Sequence, residues 1–267
     1  MRTDIYRKFA DWIATGSLHL NAWMMLASPS AAEILADTSF DSVTIDMQHG
    51  QASVSDMMLA IAVVASADKP TFVRVPIGDL SLCSRALDAG ARGVICPMIQ
   101  NDSDARALSD ATKFPPLGRR SWGAPRTLAM SGYTATEFLS VENISSAAFA
   151  LIETMEALNH LPAILATEGI DGLYVGPNDL SISLTNGAAI DIDHPSVQRV
   201  CRSLARSARA HGKIAGVHAS TPEVGLEYAG YGFNFISIGT DIGFLRTQAE
   251  SAVSHIRQKG AQFTEAF

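Results

Sequence analysis

Residues 149–181 are F-A-L-I-E-T-M-E-A-L-N-H-L-P-A-I-L-A-T-E-G-I-D-G-L-Y-V-G-P-N-D-L-S, and this stretch decides the predicted fold. One short apolar run ends at Glu153, a helical segment follows, and a second apolar run leads into Gly-Pro-Asn-Asp179. This order is typical of a strand, a helix and a parallel strand. Parallel strands end side by side, on the face of the sheet where ligands bind. The pattern therefore predicts that the carboxylates of Glu153 and Asp179 converge, as ligands of Mg²⁺ or Mn²⁺ do.

The rest of the chain repeats this alternation. Eight short apolar segments have the character of strands, and a helical segment clearly follows seven of them. The spacing predicts a (β/α)₈ TIM barrel that forms one domain over residues 1–267. The alternative is an open doubly wound sheet, but no G-x-G-x-x-G follows the first strand and no P-loop is present. Residues 117–146 are predicted to form a long connection with a short helix near residues 135–139, and residues 176–179 to form a loop.

Composition excludes several classes of protein. The formal net charge of -7 argues against nucleic-acid binding, which favours a basic face. No apolar run is long enough for a membrane span, and residues 1–12 are charged throughout, without the apolar core of a signal peptide. The three cysteines lack metal-site spacing and are typical of the reduced thiols of a cytoplasmic protein.

Position relative to the strands separates candidate site residues from structural ones. His49 lies in a Gly-containing loop after the second strand, where its ordinary pKa suits a general base. Arg74 ends the third strand, where it can pair with Asp46 or bind an anion. His218 follows the seventh strand and is a candidate contact to the acceptor substrate. The backbone of residues 176–178 could hold a substrate carboxylate, although the same residues also fit a plain turn.

Six motifs in this order resemble the HpcH/HpaI aldolase family. The resemblance implies a (β/α)₈ barrel and a class II aldolase, which uses a divalent metal ion (Mg²⁺, Mn²⁺ or Co²⁺) to join pyruvate to an aldehyde or to cleave the product. The motifs are D-M-Q-H-G (46–50), V-R-V-P (73–76), L-D-A-G-A-R-G-V-I-C-P-M-I-Q-N (87–101), P-P-L-G-R-R-S-W-G (115–123), I-E-T-M-E-A-L (152–158) and G-L-Y-V-G-P-N-D-L-S (172–181).

The resemblance implies a role for each matching residue. Glu153 and Asp179 match the two metal carboxylates, and His49 matches the catalytic base. Arg74 matches the arginine that contacts the keto oxygen. Asp88 matches the aspartate that pairs with the histidine, which its position near a helix end would not have suggested.

Further matches and departures concern the substrate. Gly176, Pro177 and Asn178 match the segment whose backbone holds the pyruvate carboxylate, and Arg120 matches the loop near the acceptor side. The chain departs from many members at three positions: Gln48 replaces a glutamate, Leu151 replaces a glutamine, and His218 replaces an apolar residue. These departures bear on the choice of substrate more than on the type of reaction.

The sequence leaves competing functions open. Lys69 and Lys213 precede strands, so the sequence provides no lysine for a Schiff-base aldolase. The alternatives are an acyl-CoA lyase similar to the citrate lyase β subunit and a non-catalytic barrel that binds an oxoacid. The favoured prediction is an aldolase acting on pyruvate or hydroxypyruvate. Because members of the family are usually hexamers, it includes a homo-oligomer, either a hexamer or a trimer of dimers. Helix 244–259 could be exchanged with a neighbouring subunit.

Overall fold

Eight parallel strands close into one barrel, which confirms the predicted (β/α)₈ architecture. Each strand pairs with the next, and the eighth pairs with the first. The computed structural model describes residues 3–264, and their side chains over residues 5–259. The strands are β1 (His19–Met24), β2 (Ser42–Asp46), β3 (Thr71–Arg74), β4 (Gly93–Cys96), β5 (Ala147–Ile152), β6 (Gly172–Val175), β7 (Ile214–Ala219) and β8 (Phe235–Ile238).

Helices surround the barrel, and several begin at a side chain that accepts a hydrogen bond from the first turn. Ser53 and Thr221 are two of these caps. Across the described residues, none of the helices combines the length and the apolar character that crossing a bilayer requires. The helices are α1 (Thr3–Thr15), α2 (Pro29–Ala36), α3 (Val54–Ser66), α4 (Leu80–Ala89), α5 (Asp102–Thr112), α6 (Pro125–Ser131), α7 (Ala135–Glu142), α8 (Met155–Asn159), α9 (Leu161–Ala166), α10 (Pro177–Leu184), α11 (Pro195–Ala210), α12 (Pro222–Tyr231) and α13 (Asp241–Thr264).

Aromatic rings fill the barrel interior near the end where the strands begin. Phe72 lies 4.6 Å from Phe235, centroid to centroid, and 5.9 Å from Phe149. The neighbouring strands make room for these rings with glycine: a Cβ at Gly93 would lie 2.3 Å from the Phe72 ring, and one at Gly172 would lie 2.5 Å from the Phe149 ring. The interior is therefore a packed core, as is usual for this fold.

Helix α1 covers this end of the barrel. Its Phe9 and Trp12 pack on Phe72 with centroid distances of 5.6 and 6.0 Å. The sequence analysis did not predict this helix, because charges interrupt the apolar residues of the first twelve positions. The apolar face of α1 is stabilised by packing on the aromatic side chains at this end of the barrel, a contact that the local sequence does not reveal.

A hydrogen-bonded chain of polar side chains runs up the interior between β1, β2 and β8. His19 Nε2 lies 2.8 Å from Ser42 Oγ, and Ser42 donates to Asn21 Oδ1 at 2.8 Å. Asn21 donates in turn to Ser237 Oγ at 2.8 Å, which also accepts from the hydroxyl of Tyr174 at 2.7 Å. Each of these five buried side chains therefore has a hydrogen-bond partner, as buried polar groups in stable proteins generally do.

The strand positions predicted from sequence agree with the structure within about two residues. The structure adds α6, within residues 117–146, and α10, which the sequence analysis described as a loop. The single-domain boundaries and the exchange of the last helix stay predictions. Only part of α13 lies among the side chains that the structure describes.

Candidate active site

A cavity of about 210 Å³ lies at the end of the barrel where the strands finish. We call it the site cavity. A larger cavity of about 490 Å³, between α1, α3 and α6, has no converging pair of carboxylates, so volume alone does not select the site. The residues that line the site cavity are Trp23, Met25, Asp46, His49, Arg74, Leu151, Tyr174, Gly176, Pro177, Asn178, Asp179, His218 and Thr240.

Glu153 and Asp179 converge beside Gly176. A Cβ placed on Gly176 would lie 3.2 Å from Glu153 Oε2 and 3.7 Å from Asp179 Oδ2. The other oxygen of Glu153, Oε1, accepts a 3.0 Å hydrogen bond from the Met98 amide, and Met98 has a positive φ of 57°. A non-glycine residue in this conformation costs energy. The loop after β4 thus directs an amide at the carboxylate.

The electrostatics of these two carboxylates fit a cation between them. The pKa of Glu153 is raised to about 7, chiefly by burial and also by the negative charge of Asp179, against the opposing effects of the Met98 hydrogen bond and Arg74. A divalent ion would offset both effects. Within the described residues no group of three or more His, Cys, Asp or Glu side chains converges. The chain therefore offers two hard ligands, and the remaining coordination positions are open to ligand oxygens or water.

Arg74 is held by Asp46 at two points. Its Nε donates to Asp46 Oδ1 at 2.9 Å, and its Nη2 contacts Asp46 Oδ2. Burial by itself would raise the pKa of Asp46, but hydrogen bonds from Arg74 and the backbone outweigh it and hold the pKa below its usual value. Trp23 Nε1 also donates to Asp46 at 3.2 Å. In the described part of the chain Nη1 of Arg74 makes no hydrogen bond, so it can donate to a ligand in the site cavity.

His49 lines the same cavity from the loop after β2. Its backbone N–H donates to Asp46 Oδ1 at 3.1 Å, which fixes the loop, while its side chain is exposed. The carboxylate that fixes Arg74 therefore also positions His49. Gln48, where many members of the family have glutamate, has a side-chain oxygen that is buried without a partner in the described chain.

Asp88 and Arg120 lie apart from this cavity. Helix α4 runs away from the end of β3, so Asp88 in its last turn lies toward the end of the barrel opposite His49. Arg120 donates to Asp88 at 2.8 Å and to Glu142 at 3.1 Å, and its side chain is fully buried. The structure thus does not bring Asp88 to His49 of the same chain, nor Arg120 to the site cavity. The pairing of Asp88 with a histidine stays a prediction.

Residues 176–179 begin α10 rather than a loop. Pro177 is the first helical residue, and Gly176 precedes it without a side-chain cap. The N–H groups of Asn178 and Asp179 belong to the first turn, where the helix supplies no acceptor. Such a helix start beside the cavity favours an anion. A proline at the first helical position was the sequence signal for this helix.

His218 enters the site cavity from β7. Its Nε2 lies 3.1 Å from the carbonyl oxygen of Gly239, and its ring stands edge-on to Trp23 with centroids 5.2 Å apart. The pKa of His218 is lowered to about 4, chiefly by burial and also by the charge of Arg74, against the hydrogen bond to Gly239 and the charge of Asp46. The sequence analysis did not identify Trp23 or Tyr174 as site residues. Each is an inward-facing residue near the end of its strand, but strand periodicity alone gives many such aromatic positions.

Comparison with known proteins shows the family of this chain. The family model for HpcH/HpaI aldolase/citrate lyase matches residues 20–247. A 2-keto-3-deoxy-L-rhamnonate aldolase of Klebsiella pneumoniae is 34% identical over 249 residues, covering 93% of this chain and 92% of that enzyme. The enzyme of the same name from Shigella boydii is 33% identical over 241 residues, covering 90% of each chain.

A solved structure extends the comparison to three dimensions. An HpcH/HpaI aldolase/citrate lyase family protein from Burkholderia cenocepacia superposes with a TM-score of 0.85 at 29% identity, covering 94% of this chain and 99% of that one. The resemblance drawn from the six motifs is therefore confirmed. The chain belongs to the HpcH/HpaI aldolase/citrate lyase family, and it is an enzyme of the carbon–carbon lyase class.

Proposed function

We propose that this enzyme is a class II aldolase that cleaves a 4-hydroxy-2-oxo acid to pyruvate or hydroxypyruvate and an aldehyde, or joins them. The observation that carries the proposal is one cavity, lined by Asp179, a guanidinium with a free nitrogen and an exposed imidazole, beside which Glu153 converges with Asp179 at Gly176. The relatives that are 33–34% identical are named as aldolases of 2-keto-3-deoxy-L-rhamnonate. We therefore propose 2-keto-3-deoxy sugar acids as the substrate class.

Glu153 and Asp179 would hold the divalent metal ion, with Mg²⁺, Mn²⁺ and Co²⁺ as candidates. Bound there, the ion would supply positive charge to stabilise an enolate oxygen. The chain's own contribution is to hold the two carboxylates close together in fixed positions. The Met98 amide holds one oxygen of Glu153, which leaves the other directed toward Asp179.

The remaining residues bind the oxo acid and move the proton. The N–H groups of Asn178 and Asp179 bind its carboxylate, and Nη1 of Arg74 donates to the keto oxygen. In cleavage, His49 removes the proton from the C4 hydroxyl, the C3–C4 bond breaks, and its electron pair forms the enolate. The aldehyde leaves, and the protonated His49 delivers a proton to C3, which gives pyruvate and regenerates the base. Synthesis follows the same steps in reverse.

We also propose a homo-oligomer, as a hexamer or a trimer of dimers. Because Asp88 lies toward the opposite end of its own barrel, it could meet a His49 only from another copy of the chain. Apolar residues of α13 support such contacts: Leu245 is 68% exposed and Ile256 is 70% exposed. The exchange of helix 244–259 and a location in the cytoplasm belong to the same proposal.

The two alternatives have less support. An acyl-CoA lyase needs a basic surface for the nucleotide of its substrate, and the site cavity has Arg74 as its one lysine or arginine. The two relatives that are 33–34% identical, which cover at least nine-tenths of the chain, are aldolases by name. A non-catalytic barrel would have no use for a guanidinium and a histidine-bearing loop that are held beside the cavity by the same carboxylate.

Exchange of the methyl protons of pyruvate with D₂O, followed by NMR with Mg²⁺, tests the proposal directly. We expect the wild-type protein to exchange them and excess chelator to stop the exchange. His49→Ala should slow the exchange by roughly 10²–10⁴-fold, the usual effect of losing a general base. His211→Ala, at the exposed end of α11, is the matched control. No exchange by the wild-type protein, or full exchange in chelator, would contradict the proposed function.

A further inference from the structure

The ring of His218 has one possible neutral form. Nε2 lies 3.1 Å from the carbonyl oxygen of Gly239, and a carbonyl oxygen can only accept a hydrogen bond. Nε2 therefore carries the proton. In a neutral imidazole the other nitrogen, Nδ1, then has a lone pair and no hydrogen. The backbone of the loop after β8 thus determines which nitrogen of His218 is an acceptor.

The surroundings keep this imidazole neutral. The ring is packed against Trp23 and shares the cavity wall with Arg74, whose positive charge opposes a second one nearby. Asp46 would favour a charged imidazole, but its carboxylate already accepts hydrogen bonds from Arg74, Trp23 and the backbone. The lowered pKa of His218 agrees with this geometry.

The acceptor nitrogen has no partner from the protein. Within residues 5–259 the hydrogen bond of the His218 ring is the one to Gly239, and the ring lines the site cavity. Neither Leu151 nor Pro177, which share that cavity, has a side-chain donor to offer. A ligand in this cavity therefore meets, at Nδ1 of His218, a hydrogen-bond acceptor that is fixed in direction and that no donor of the described residues occupies.

We propose that His218 Nδ1 accepts a hydrogen bond from a hydroxyl group of the substrate and so selects hydroxylated substrates over apolar ones of the same size. This inference rests on the proposed aldolase function and specifies its substrate. Oxo acids and aldehydes carry no amine, so the donor is a hydroxyl. It belongs either to C3 of hydroxypyruvate or to the aldehyde. Both sources present the same chemistry, and the experiment separates them.

The test compares pairs of substrates that differ only by a hydroxyl in place of a methyl group. The first pair is hydroxypyruvate and 2-oxobutanoate with one fixed aldehyde, and the second is glycolaldehyde and propanal with pyruvate. The ratio of kcat/KM within each pair is measured for the wild-type enzyme, His218→Leu and His218→Asn with Mn²⁺ present. Intrinsic differences in reactivity cancel when the ratios of two variants are compared.

We expect one of the two ratios to fall about tenfold in His218→Leu, the size of a lost neutral hydrogen bond. His218→Asn keeps an acceptor oxygen and should retain part of the preference; it also serves if the leucine variant does not fold. The pair that responds identifies which substrate carries the hydroxyl. If both ratios stay within twofold of wild type while pyruvate still exchanges its methyl protons, the proposal for His218 is wrong and the aldolase function stands. If the wild-type protein exchanges no protons, both are wrong.

Discussion

The amide of Met98 donates a 3.0 Å hydrogen bond to Oε1 of Glu153, so the two oxygens of this carboxylate have different surroundings. One oxygen is held by the backbone of the loop after β4. The other lies beside Gly176, on the side of Asp179. Because one oxygen is held, the carboxylate cannot rotate to form hydrogen bonds elsewhere. Its second oxygen therefore stays in position to bind a cation.

Glu153→Gln should abolish tight binding of Mn²⁺ measured by calorimetry. The amide keeps the size of the side chain but removes one of two negative charges, and hard cations favour charged oxygen ligands. Glu156→Gln is the matched control, because Glu156 is exposed one helical turn later. Unchanged affinity in Glu153→Gln, or an equal loss in the control, would remove Glu153 from the metal site.

Gly176→Ala should also weaken Mn²⁺ binding, without removing any ligand. The new methyl group would lie 3.2 Å from Glu153 Oε2, which crowds that carboxylate, and at an ordinary contact distance of 3.7 Å from Asp179 Oδ2, where it would occupy space beside the proposed metal position. The φ of Gly176 is −96°, which alanine adopts freely, so the fold should tolerate the change. Gly230→Ala is the control: nothing lies within 4 Å of its new Cβ, in the last turn of α12. It should leave metal affinity as it is and stabilise the helix by about 0.5–1 kcal/mol.

Asp46→Asn should lower both stability and aldol activity. Asp46 is 1% exposed and Arg74 is partly exposed, so the loss of the pair should cost about 2–3 kcal/mol, less than for a fully buried pair. Urea unfolding would measure that cost. Asp102→Asn breaks an ion pair with Arg106, in which the Arg106 side chain is 66% exposed and the Asp102 side chain is 50% exposed. Because this pair is exposed, its loss should cost at most about 1 kcal/mol of stability. Equal costs for the two variants would mean that burial does not strengthen the Asp46 pair.

His19 should make stability fall in acid. Burial lowers the pKa of His19 to about 4 in the folded state, below the ordinary value of 6.5. Between these values the unfolded chain binds more protons than the folded one, so stability rises with pH there and is lost as the pH falls. Between pH 7.5 and pH 5, His19 alone should lower the free energy of unfolding by about 2 kcal/mol, since one pKa unit corresponds to about 1.4 kcal/mol. Urea titrations of the wild type and His19→Gln at both pH values would measure it, and identical pH dependence in the two proteins would contradict it.

Leu245→Glu should reduce the mass of the particle in solution. Leu245 is 68% exposed on α13, and a charge placed there would oppose burial against a second copy. Light scattering after gel filtration would measure the mass of both proteins. A wild-type protein that is already monomeric would contradict the proposed oligomer, and an unchanged mass in the variant would show that Leu245 lies outside its interfaces.

Much of the site could be predicted because position along a strand is a local property of the sequence. Glu153, Arg74 and His49 each lie at or just after the end of an apolar run, and in a parallel barrel those ends form one face. The structure places all three, together with Asp179, around the site cavity or on its edge. The second apolar run of residues 149–181 forms β6 (Gly172–Val175) for the same reason, since turn residues surround a short β-branched and aromatic run.

What the sequence could not provide depends on contacts between distant parts of the chain. Arg120 reaches Asp88 across 32 residues, and no pattern near either residue indicates that contact. Helix α1 was missed because its apolar face matters only once the barrel end exists. Helix α10 was missed because Gly, Pro, Asn and Asp are also the usual residues of turns, and the proline signal is weak by itself.

The polar chain inside the barrel also has a consequence for how the protein is made. Asn21 and Ser237 join the first strand to the last across 216 residues. Forming such a distant pair requires closing a very long loop, and folding slows as contacts become less local. On the ribosome, the seam between β1 and β8 can therefore close only after nearly the whole chain has been synthesised. Until then both strands expose unpaired edges, which are sites for association with other chains. We expect this seam to be the step of biogenesis that most depends on chaperones.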